Sequence, residues 1–90
     1  MRRQLDLFAE DEAELLAEAE AAERAYDAAE RDEAEEAYGD YQLVLDAAGG
    51  RLAELRDTYA ATLDEDAAGA YAAEFDRAAE KRYPRLRGFL

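Results

Sequence analysis

The chain has no cysteine, histidine, tryptophan or serine, and only one proline and one lysine. The lack of cysteine excludes disulfides, zinc fingers and thiol nucleophiles. Thr58, Thr62 and the tyrosines supply the only hydroxyls, with no histidine to activate them, so nucleophilic catalysis lacks its parts and the chain reads as non-enzymatic. Gly49-Gly50 has no neighbouring Lys-Ser/Thr and so makes no phosphate loop. Without histidine the Glu-x-x-His ligand pair of ferritin-like bundles cannot be written. Asp11, Glu14 and Glu18 share a helix face, but carboxylates on an acidic helix are ordinarily solvated, so no metal ligand and no cofactor is assigned. No apolar run approaches the roughly 20 residues of a membrane span. Arg2 and Arg3 are followed by no apolar h-region, which leaves a cytoplasmic location as the expectation.

Positive charge is also scarce: 24 acidic residues face 11 basic ones, a net of −13. Nucleic acid and anionic membranes are therefore disfavoured as direct partners, whereas a basic protein is favoured. The imbalance is local. Residues 10–36 hold 13 acids against Arg24 and Arg31, while residues 77–90 set Arg77, Lys81, Arg82, Arg85 and Arg87 against Glu80 alone. Half the residues are hydrophobic but most of these are alanine, which leaves little for a thick core in a chain of 90 residues.

What is abundant is helix-forming residues. From Ala9 onwards the composition is Ala, Glu, Leu and Arg, with Leu15, Ala19, Ala22, Tyr26 and Ala29 on one narrow stripe. The spacing predicts helix over about 9–38. Tyr41, Leu45, Ala48, Leu52, Leu55 and Tyr59 continue at steps of four and three, the seam of a packed helix pair, and predict helix over about 41–63. Whether Gly39-Asp40 separates these two stretches or lies inside one long bent helix is left open, with stripe continuity leaning to the latter. Thr62-Leu63-Asp64-Glu65 has the form of a capping box, with Asp64 as the competing cap. A last helix follows over 65–82 with Tyr71 and Phe75 on one face, and Pro84 forbids its continuation. The short basic and apolar tail, 83–90, is expected to fold back so that Leu86, Phe89 and Leu90 are covered. The expected architecture is all-α: an elongated antiparallel helical hairpin or small three-helix bundle over residues 9–90, preceded by an extended arm, residues 1–8. Tyr41, Leu45, Leu52, Leu55 and Tyr59 form its packing seam, which would become a homodimer seam if exposed in a single chain.

The arm carries Gln4-Leu5-Asp6-Leu7-Phe8. It resembles the pentapeptide by which many bacterial replication and repair proteins dock on the β sliding clamp, Gln-Leu-Ser/Asp-Leu-Phe, and matches it at every position. The resemblance covers five of the 90 residues. It implies that Gln4 enters a small polar pocket of the clamp and that Leu7 and Phe8 fill a hydrophobic one. The clamp box of eukaryotes and archaea fits less well, because it wants aromatics where Glu10 and Asp11 stand. Elimination and resemblance together give the expected function: a small helical adaptor that docks on the sliding clamp through Gln4–Phe8 and engages another protein with its helices. The competing expectations are that Leu5, Leu7 and Phe8 simply pack on the chain's own helices, or that the protein is an acidic coiled-coil-like module which binds a basic protein or mimics DNA.

Overall fold

The computed structural model describes all residues, Met1–Leu90, and the fold is all-α. Four helices follow one another: α1, Arg2–Asp11; α2, Ala13–Ala28; α3, Ala34–Ala60; and α4, Glu65–Arg82. A single 3-10 turn, Pro84–Leu86, ends the chain's regular structure. The molecule is elongated, with principal extents of 51 × 22 × 18 Å.

Helix α3 is the member that the rest shares. Its N-terminal half runs antiparallel to α2, as the stacking of Tyr26 on Tyr41 at one end and the Arg51–Glu12 ion pair at the other require. Its C-terminal half runs antiparallel to α4, joined by Arg56 to Asp76 at 2.9 Å and by the rings of Tyr59 and Tyr71 at 4.7 Å. The seam is buried where both neighbours meet it, at Tyr41, Leu45, Ala48 and Leu52; Leu55 is half-buried and Tyr59 exposed. Phe75 and Ala79 of α4 and Leu86 of the tail complete this core with Leu5 and Phe8 of α1. One chain thus covers Tyr41, Leu45, Ala48 and Leu52 of the seam itself and leaves its far end, Leu55 and Tyr59, accessible.

Two boundaries differ from the sequence-based expectation. The break in the acidic stretch falls at residues 29–33, not at Gly39, which lies inside α3. No glycine or proline marks this turn. It forms because an antiparallel return lays the stripe of α2 against Tyr41, Leu45 and Ala48, burial that a straight helix would forgo. The second correction concerns residues 1–8, which are not an extended arm: Arg2–Asp11 is helical. The spacing of Leu5 and Phe8 explains it, because helix places residues three apart on one face and both side chains then reach the core.

The last helix begins and ends where its caps direct. Asp64 is the N-cap, its Oδ1 accepting from Ala67 N–H at 2.9 Å. The Thr62 hydroxyl instead donates to the Tyr59 carbonyl, which closes the preceding turn. Glu65 and Asp66 lie in the first turn and Lys81 and Arg82 in the last, both complementing the helix dipole. Beyond Pro84 the tail folds back across α3, burying Leu86 and half-burying Phe89 and Leu90. The Phe89 backbone lies directly on Gly49, where a β-carbon would stand 2.6 Å from Phe89 Cβ. Gly88, at φ +89°, makes the bend that brings it there.

Candidate partner-binding site

The five residues of the pentapeptide divide between the core and solvent. Leu5 and Phe8 are 3% and 4% exposed, in one cluster with Leu52, Phe75 and Ala79. Burying these two side chains contributes about 1.5–3 kcal/mol each. Phe8 also meets the ring of Tyr83 edge to face, with centroids 5.9 Å apart. Gln4 is half-buried, and its Oε1 accepts a hydrogen bond of 2.6 Å from the Tyr71 hydroxyl. Asp6 is exposed and pairs with Arg82 at 2.7 Å. Leu7 faces outwards and is 49% exposed. It lies at the rim of an open cleft of about 320 Å³ lined by Asp11, Glu12, Arg51, Glu54, Leu55 and Thr58.

Helix α1 is held by these contacts and by little else. Its N-cap, Met1, offers no side-chain acceptor. Arg2 and Arg3 stand at its positive end, and Glu10 and Asp11 at its negative end, so both charge pairs oppose the dipole. No acidic residue lies in its first turn and no basic residue in its last. The partners that hold it, Tyr71, Arg82 and Tyr83, are 67 to 76 residues away in sequence from Gln4 and Asp6, or pack on Phe8 through the core. No local pattern points to them. The only sequence signal is that Tyr71 and Arg82 lie on or beside the apolar face of a helix bounded by Asp64 and Pro84.

The ionic contacts have an uneven distribution. Seven ion pairs tie Arg51, Arg56, Arg82, Arg85 and Arg87 to carboxylates of the helical body. Arg56 bridges Asp57 and Asp76, and its guanidinium holds the Asp57 carboxyl below the usual carboxylate range. Residues 24–40, the α2–α3 end of the rod, take part in none of them. This end presents Asp27, Glu30, Asp32, Glu33, Glu35, Glu36 and Asp40 without a paired cation, beside the exposed rings of Tyr26 and Tyr38, 5.2 Å apart.

Elsewhere the surface offers little chemistry. No group of three or more acidic side chains is arranged to hold a metal ion. The most apolar cleft, about 240 Å³ between α2, α3 and the tail, is lined by Leu16, Tyr41, Leu45, Tyr83 and Leu86 with Arg82 and Arg85 at its edge. No helix is long and apolar enough to cross a membrane. Comparison with protein-family models, with curated proteins and with solved structures finds no match to this chain.

Proposed function

We propose that this protein is a non-enzymatic helical adaptor that docks on a bacterial sliding clamp through Gln4–Phe8 and presents its acidic helical rod to a second protein. The observation that carries this reading is the pentapeptide itself, matched at every position and placed on a terminal helix whose own charges and capping disfavour it. Docking in an extended form requires α1 to leave the body, because Gln4, Leu5 and Phe8 are engaged when it is folded. Leu7 needs no such release and is the cleanest probe. Leu7→Ala removes a half-exposed side chain and leaves the core intact. In a titration with purified clamp it lowers affinity at least tenfold, a loss of about 1.4 kcal/mol, within the range for burying a leucine. Equal affinities of variant and wild type would overturn the docking role.

A second reading is favoured by the unpaired carboxylates of residues 24–40: an acidic module that binds a basic protein or imitates the charge of DNA. Its binding would be indifferent to Leu7→Ala and sharply weakened by salt.

A further inference from the structure

We infer that α1 is a releasable latch, in which the helical body and the sliding clamp compete for the same side chains of Gln4–Phe8. This regulation rests on the docking reading above. It follows from a conflict between the local and the tertiary preferences of residues 1–12. Locally, the capping and the charges favour release. The helix has no side-chain N-cap, arginines at its positive end and acids at its negative end. Glu12, the only residue between α1 and α2, has φ −111° and ψ 29° and breaks the helix without any glycine or proline. When α1 unwinds, Glu10, Asp11 and Glu12 cease to burden its C-terminus. They become the acidic first turn of a lengthened α2, where the dipole favours them. The charge pattern thus opposes the latched state and stabilises the open one.

Tertiary contacts alone favour the latched state. Leu5 and Phe8 fill the core beside Phe75 and Ala79, Tyr71 donates to Gln4, and Arg82 pairs with Asp6. Of the three residues the resemblance assigns to the clamp's two pockets, Gln4, Leu7 and Phe8, two anchor the latch, Gln4 and Phe8, while Leu7 is free. A side chain cannot occupy both places. The affinity of the full chain for the clamp is therefore the affinity of the free peptide reduced by the fraction of molecules with α1 released. Weakening the body's grip, without touching the pentapeptide, strengthens docking.

The test compares clamp binding by a synthetic peptide of residues 1–10, the full chain, and full chains carrying Tyr71→Phe or Arg82→Gln. The peptide binds more tightly than the full chain. Tyr71→Phe tightens the full chain about fivefold, the worth of one hydrogen bond. Arg82→Gln, which breaks a mostly exposed ion pair, tightens it about twofold. A full chain that matches the peptide and is unmoved by either substitution overturns the latch while leaving docking intact. A peptide that fails to bind overturns docking and with it the competition for the clamp, and whether α1 is releasable is then decided by amide hydrogen exchange. Exchange of residues 2–11 faster than that of Leu45–Leu52, and faster still in Tyr71→Phe with α3 unchanged, upholds it. Exchange of both segments at one rate shows that α1 opens only with global unfolding, and overturns it.

Discussion

Tyr71 joins the two ends of the chain through one proton. Its hydroxyl donates to Gln4 Oε1, so the bond exists only while the phenol is neutral. Burial pushes its pKa above the ordinary value of 10.0. The neutral form is thus favoured by folding. The associated stability is fully present below the unfolded pKa and is lost as pH rises through the higher folded value. Stability measured by denaturant titration between about pH 9 and pH 12 should fall in the wild type with a component that Tyr71→Phe lacks. At neutral pH the same substitution should cost about 1 kcal/mol, because it leaves the half-buried Gln4 carbonyl unpaired. An alkaline profile identical in the two proteins would show that burial of the Tyr71 hydroxyl adds nothing to the pH dependence.

Within the elements, the two adjacent glycines of α3 have opposite roles. Gly50 is exposed with nothing within 4 Å of where a β-carbon would stand, whereas at Gly49 that carbon would meet Phe89 backbone. Gly50→Ala should stabilise the protein by about 0.8–1 kcal/mol through helix propensity alone. Gly49→Ala has the same propensity gain but displaces the tail, exposing Phe89 and Leu90 and unseating Leu86, a loss of about 1–3 kcal/mol. Paired thermal melts should therefore move in opposite directions, and a rise in both would show that the tail is not clamped on α3. This contrast also marks what the sequence could and could not tell. The span of α4 was legible because its dipole-matched charges and Pro84 are local, although the cap is the competing Asp64 and not Thr62 of the capping box, and the folding back of the tail followed from three apolar residues with nowhere else to go. The turn at 29–33 was not legible, since it has no breaker and exists to bury a stripe contributed by another helix. Nor was α1. Its charges and missing cap oppose a helix although most of its residues are helix formers, and the contacts that decide the matter come from Tyr71, Phe75 and Arg82, far along the chain. That Leu5 and Phe8 pack on the chain's own helices was one of the readings the sequence offered, whereas the hold of Tyr71 on Gln4 and of Arg82 on Asp6 was not legible.

At the scale of the whole molecule, charge is the dominant unbalanced force. The net −13 is spread over a rod 51 Å long with a thin core, and the seven unpaired carboxylates of residues 24–40 gather at one end of it. At an ionic strength of about 0.01 M the screening length is about 30 Å, so these carboxylates repel one another and much of the acidic remainder; at about 1 M it is near 3 Å and the repulsion is gone. The ion pairs that salt would weaken are mostly exposed and worth about 0–1 kcal/mol each. Self-repulsion therefore outweighs them, and the melting temperature should rise with salt over this range. Replacing Asp27, Glu30, Glu33 and Glu36 by their amides should raise it at low salt and flatten its salt dependence, with no change to the core. A melting temperature that falls with salt would mean that the ion pairs of the body hold the rod together. The same titration separates the two functional readings, because attraction of a basic protein to the acidic end fades as its field is screened, whereas a clamp pocket that buries Leu7 gains nothing from that field and keeps its grip.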